Sequence, residues 1–187
     1  GGAWGLEYAW DPDIRGLFQG PLRDVTNAIR GLDDSASLLR VLQIANVSHV
    51  LALHTSTFDA FRLKQVVEGL PFPEPLYVFE VPAPLPRAYA VSGLRVLGPA
   101  DAAKTVLDPA FRPTAEVILD HGVPAPPSTS FRSEVRIVDR RSDRVVLDAR
   151  LNEPGSVVLL EGFLPGWTAT LDDVPVPVRR ANALFVA

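Results

Sequence analysis

The sequence has no cysteine and no methionine, and only two of its 18 basic residues, Lys64 and Lys104, are lysines. Without cysteine there is no disulfide, thiolate zinc site, iron–sulfur cluster or cysteine nucleophile. Basic residues are also the minority, 18 against 22 acidic, for a net charge of −4. Residues 1–122 hold 10 basic and 14 acidic side chains, and residues 123–187 hold 8 of each. Neither part has the positive surplus that nucleic acid or an anionic membrane attracts, so no nucleic-acid partner is expected. Long hydrophobic runs are missing too. The most apolar window, residues 36–53, is broken by Arg40, Gln43, Asn46, Ser48 and His49, whereas a membrane span needs about 20 mainly apolar residues. The first residues lack the charged-then-apolar pattern of a targeting signal. What remains is 187 residues, 47% of them hydrophobic. That is too apolar for disorder and long enough for one large or two small domains with a buried core.

Periodicity divides the chain. Trp4, Tyr8, Trp10 and Phe18 lie among Pro and Gly and read as an irregular aromatic arm. Asp33-Asp34-Ser35 supplies an N-cap for a helix in which Leu38, Leu39, Leu42 and Ala45 recur at helical spacing. Residues 47–53 form a short strand expected to be buried on both faces. A second helix is expected from Ser56 or Thr57, with Phe58, Phe61, Val66 and Leu70 as its stripe. Strands follow at 76–81, 87–91 and 115–119, with a short helix from Pro99 to Leu107. Residues 1–122 therefore read as a small α/β subdomain. Residues 123–130, rich in Pro and Ser, read as a linker. From 131 to 187 the period becomes two: Val135 and Ile137 alternate with Glu134 and Arg136, and Val145, Leu147 and Ala149 with Val146, Asp148 and Arg150. Trp167, Ala169 and Leu171 share a strand face, and Pro175 and Pro177 mark an edge strand. Turn residues between these runs complete the pattern of an antiparallel β-sandwich. The expected fold class is α+β.

Catalytic signatures are sparse. There is no nucleophile elbow, Walker loop, dinucleotide fingerprint or zincin motif. His49 and His54 are five residues apart across a strand end, which sends them to opposite faces, and His121 lies at the seam between the two expected subdomains. Asp11-Pro12-Asp13 has the D-x-D form that holds nucleotide-sugar diphosphates through a cation, but its proline makes it a turn formula. Asp172-Asp173 sits where a hairpin must turn, and residues 139–144 alternate in charge at another tip. Asn46-Val47-Ser48 has the form of a glycosylation acceptor beside a strand. No catalytic residue, metal site or cofactor is expected from these residues.

Three stretches together carry a likeness. Residues 38–53 resemble a segment in which a leucine-rich helix leads into a strand. Residues 76–91 resemble a strand pair centred on Pro86 and Arg87. Residues 159–187 resemble a terminal hairpin carried by Pro165, Gly166, Trp167, Ala169, Asp172, Pro175, Val176, Asn182 and Phe185. The family so identified is that of the YfhO-type bacterial multi-spanning membrane proteins, which resemble glycosyltransferases that use lipid-linked sugars. Asp173 departs from it, standing where the family usually has glycine, and the family's next strand would follow Ala187.

The resemblance implies a non-catalytic extracytoplasmic accessory domain on the outer face of a bacterial cell membrane. Its partner would be its own transmembrane region, with cell-envelope glycan as a further candidate. The family's catalytic acids lie in membrane loops, so none transfers to this chain. The alternatives are a free-standing carbohydrate-binding or adhesion module and a soluble hydrolase. Arg87 is the one candidate binding residue. Flanking prolines fix an extended approach, and Arg87 emerges at a strand start. It is expected to bond backbone carbonyls or a carboxylate across the two subdomains, the alternative being an anionic ligand such as a lipid diphosphate. Trp167 is expected in the core, since its strand face is apolar.

Overall fold

The computed structural model describes residues 31–32, 34–69, 71 and 73–187. The chain has two compact units that divide between Leu85 and Pro86. Helix α1 (Ser35–Ile44) starts where the Asp34 carboxylate accepts the N–H groups of Ala36 at 3.1 Å and Ser37 at 2.8 Å. The carboxylate thus satisfies two of the amides a helix start leaves bare. A bond from the Ser37 side chain, foremost, together with these two backbone bonds, holds the Asp34 carboxyl below its ordinary pKa. The helix stops at Ala45, and Asn46 takes a left-handed conformation. Its side-chain amide donates to the carbonyl of Leu85, which ties the end of the helix to residue 85 of the same unit.

Three antiparallel strands follow in the order β1-β3-β2: β1 (His49–Ala52), β2 (Arg62–Val67) and β3 (Leu76–Glu80). One sheet face packs Leu42, Phe61, Phe79 and Val81 together with Val50, Ala52, Phe58 and Tyr77. The Phe58 ring stacks on Phe79 at 4.7 Å and meets Phe61 edge-on at 5.2 Å. Two expectations need correction here. Residues 56–61 are turns and 62–67 are strand β2, so the expected second helix does not form. Helical spacing of Phe58, Phe61 and Val66 is real, but pairing with β3 supplies hydrogen bonds that a local window cannot register. Strand β1 is buried on one face only; Leu51, on the other, is 55% exposed.

The second unit is built from β4 (Ala88–Val91), β5 (Gly93–Val96), α2 (Pro99–Leu107), β6 (Glu116–Leu119), β7 (Ser133–Arg140), β8 (Val145–Leu151), β9 (Ser156–Gly162), β10 (Ala169–Leu171), β11 (Val174–Val176), β12 (Arg180–Ala181) and β13 (Phe185–Val186). A six-stranded sheet has the order β4-β9-β13-β12-β6-β5. Only β5 and β6 run parallel, and α2 is the crossover that a parallel pair requires. Hairpin β7–β8 lays Val135, Val145 and Leu147 against Ala88, Leu159 and Val186 of the sheet. Hairpin β10–β11 forms a separate two-stranded sheet.

The fold class is α+β with a sheet-rich second unit. Its organisation differs from the expected division near residue 122. Strands β4 to β6 belong to the same sheet as β9, β12 and β13. Residues 123–130, expected as a linker, cross the sheet edge instead. Ala125, between Pro124 and Pro126, keeps one N–H and one C=O, and both bond Leu94, at 3.0 and 2.8 Å. Ser128 N–H donates to Ser92 Oγ at 2.8 Å. Edge closure by a proline-rich segment is a long-range pairing, which composition does not reveal.

Candidate functional site

Arg87 stands one residue before β4, and its carbonyl accepts the Leu160 N–H of β9 at 2.8 Å. This sets the guanidinium beside Glu161, two residues past the Ala88–Leu159 pair. Arg87 Nε and Nη2 both lie 3.2 Å from Glu161 Oε1. Arg140, the last residue of β7, brings its own Nε and Nη2 to the same oxygen at 3.0 Å. Arg87 and Glu161 are half-buried, and Arg140 closes the group from the exposed side. Charge-assisted bonds of this kind are the strong ones, and here they tie β4, β7 and β9 at one point. The sequence-predicted Arg87 is thus placed on a carboxylate within the second unit.

A second carboxylate, this one buried, follows the same plan. Glu116 on β6 is 4% exposed and receives Arg95 Nε at 2.6 Å and Nη2 at 2.8 Å, one on each oxygen. The Arg112 N–H adds a longer bond of 3.4 Å. The parallel register places Gly93 opposite Glu116 and Arg95 opposite Ile118, so Arg95 reaches its partner along the same face. Glycine at 93 is required by this seat: a Cβ there would lie 2.8 Å from Glu116 Cβ and 2.9 Å from the Ala115 carbonyl oxygen. The signal was in the sequence, a single acid in the apolar run 115–119 and a single arginine in 93–96. A charge in a buried strand demands a partner of opposite sign.

Asn182 is the third polar group inside the fold, 1% exposed and left-handed at φ 48°. Its Oδ1 accepts the Ile118 N–H at 3.0 Å, and its N–H donates to the Ile118 carbonyl at 2.9 Å. Its side-chain amide donates to the Tyr89 hydroxyl at 3.3 Å. Burial drives the Tyr89 hydroxyl pKa well above the ordinary tyrosine value, with the Asn182 bond opposing in part.

The remaining sequence candidates lie apart. His49 contacts Ser48 Oγ at 3.1 Å, His54 contacts Ser56 Oγ at 2.9 Å and packs on Phe58, and His121 contacts the neighbouring Asp120. Among the described residues no three His, Cys, Asp or Glu side chains are grouped to hold a metal ion. Asp11-Pro12-Asp13 lies outside the described residues. Asp172 and Asp173 occupy the β10–β11 turn, both left-handed, at φ 50° and 66°. Asp139 pairs with Arg141 at the tip of the charged run. Trp167 follows the Pro165-Gly166 turn and precedes β10. It is half-buried, packs against Ala88, Leu159 and Val186, and donates Nε1–H to the Gly162 carbonyl at 3.2 Å. The expected apolar strand face is a different matter: Leu171, assigned to it, is 63% exposed. A concavity in the second unit, beside α2, holds about 30 Å³ and is lined by Leu97, Pro99, Ala102, Ile118 and Arg180 among others; that is room for about one water.

No protein family, curated protein or solved structure matches this chain.

Proposed function

We propose that this chain is a non-catalytic extracytoplasmic accessory domain of a membrane glycosyltransferase-like protein, positioning the membrane region, a glycan acceptor or a partner. One observation carries the reading. The two carboxylates drawn into the second unit, Glu116 and Glu161, are held by arginines from neighbouring strands. Charge used in this way fastens strands together. A hydrolase instead needs carboxylates free to exchange protons with a substrate, within reach of a bound bond. The terminal-hairpin likeness supports the same reading, because its Pro-Gly-Trp group seats an indole on the sheet core. In this role the chain needs no cofactor, and its partner is the transmembrane part of its own polypeptide. Among the described residues no helix is long and apolar enough to cross a membrane, so attachment would come from elsewhere in that polypeptide.

The test uses the native protein in its own cells. An antibody raised against this chain should detect it in the washed membrane fraction, and protease added to intact spheroplasts should cleave it. Recovery in the culture medium or a soluble wash would favour the free-standing module. Protection from external protease would overturn the extracytoplasmic placement.

A further inference from the structure

We infer that the outer edge of β1 pairs antiparallel with the β1 edge of a second copy of this chain. The three-stranded sheet has two edges, and they are built differently. Strand β2 presents Arg62 and Lys64, both exposed, and its register slips by a residue between Leu63 and Gln65. Edge charges and a bulge of this kind keep an open strand from recruiting another. Strand β1 has neither device. Residues 41–58 contain no Asp, Glu, Lys or Arg, and no register shift interrupts the β1–β3 pair.

The hydrogen-bond phase of β1 follows from one contact. Val81 N–H donates to the Ser48 carbonyl at 2.9 Å, which makes Ser48 and Val81 a hydrogen-bonded pair at the end of the β1–β3 register. Such pairs alternate along an antiparallel ladder, so Val50 and Ala52 direct their N–H and C=O groups at β3. His49 and Leu51 therefore direct theirs away from it. Their side chains also stand on the exposed face, Leu51 at 55%, and Leu53 just beyond is 50% exposed. No described residue pairs with this edge. A row of outward amides and carbonyls is complemented by another extended backbone, and the absence of charge favours a strand equally free of it. A second β1 meets both conditions.

A two-fold axis through Val50 sets the register. His49 then faces Leu51 of the second copy, and the reverse, each pair exchanging both main-chain bonds. Because the paired numbers sum to an even value, exposed residues meet exposed residues and the α1-covered faces stay on one side. A four-residue edge buries far less than the roughly 1,200 Å² of a stable interface, so a dissociation constant on the order of 0.1 mM is expected.

Sedimentation velocity of the full 187-residue chain, from about 10 µM to about 1 mM, reads this directly. The wild type should shift from monomer to dimer across that range. Leu51→Lys places a charge on the edge, and Leu51→Pro removes an outward N–H that the β1–β3 ladder does not use. Either variant should remain monomeric throughout, with Leu51→Lys keeping the wild-type circular dichroism spectrum. If Leu51→Pro fails to fold, Leu51→Lys decides alone. A wild type that stays monomeric at the highest concentration would overturn the inference, and so would a Leu51→Lys variant that associates like the wild type.

Discussion

Asn182 does at one position what several residues of a strand would normally share. Its backbone and side chain together bond Ile118 twice, and its amide reaches Tyr89 on β4. The consequence is a dependence on alkaline pH. Burial raises the folded pKa of Tyr89, while the unfolded hydroxyl ionises near the ordinary value of about 10. Neutral Tyr89 thus contributes stability in full below about pH 10, and that contribution is lost as the pH rises toward the folded value. Urea melts at pH 8 and pH 11 should show a marked loss of stability for the wild type. Tyr89→Phe should narrow that gap and cost about 1 kcal/mol at pH 8 for the bond removed. Equal sensitivity to pH in both proteins would contradict this account of Tyr89. Trp167 offers a second residue-scale test. Full burial of a tryptophan makes its loss to alanine cost about 3–5 kcal/mol, and for a half-buried indole on the sheet core we expect about 2–3 kcal/mol. An unshifted thermal transition in Trp167→Ala would instead assign the ring to a ligand.

At the scale of elements, turn chemistry yields the clearest expectation. The two-residue turn of hairpin β10–β11 needs positive φ at both positions, and Asp172 and Asp173 both supply it. Left-handed backbone is costly for a residue with a Cβ, and glycine removes that cost. Asp173→Gly should stabilise the hairpin by about 0.5–1 kcal/mol, slowing exchange of the Ala169 and Val176 amides roughly two- to fivefold. Faster exchange would show that the aspartate makes a stabilising contact of its own. Helix α1 carries a second expectation through its cap. Because hydrogen bonds hold Asp34 below its ordinary pKa, its capping contribution is present above about pH 4 and lost as the pH falls through the lower folded value. The Ala36 and Ser37 amide signals should titrate with a midpoint below that of a free aspartate, and Asp34→Asn should abolish the titration. A midpoint at or above the ordinary value would refute the cap.

Which elements could be read from sequence follows from how local their causes are. Hairpin β7–β8 was legible because alternation alone decides it: Val135, Val145 and Leu147 face the sheet while Glu134 and Arg136 stay exposed. Helix α2 was legible from its opening, where Pro99 and Asp101 stand in the first turn. Strand β2 was not, since Arg62, Leu63, Lys64 and Gln65 are good helix formers that yield to pairing with β3. Strands β5 and β9 were missed. Gly93–Val96 is short, and its parallel partner β6 lies beyond a helix. Of the candidate site, the position of Arg87 was legible and its partners were not, because Arg140 and Glu161 come from strands more than 50 residues away in sequence.

Across the second unit, charge serves as a fastener. Glu161 joins Arg87 and Arg140, and Glu116 joins Arg95. A group kept for ligands or chemistry is commonly held at some cost to stability, so neutralising it leaves the fold unchanged or firmer. A fastener behaves in the opposite way, since its removal leaves paired arginines without an acceptor of full charge. Glu161→Gln preserves shape and removes only the charge. With the site half-buried and partly screened by solvent, the loss should be about 2 kcal/mol, which for a chain of this size lowers the melting temperature by about 4–8 °C. The calorimetric melt of Glu161→Gln beside the wild type is therefore the most direct measurement: a fall of that order is the predicted result, and an unchanged or raised melting temperature would contradict the claim that these charges hold the fold together.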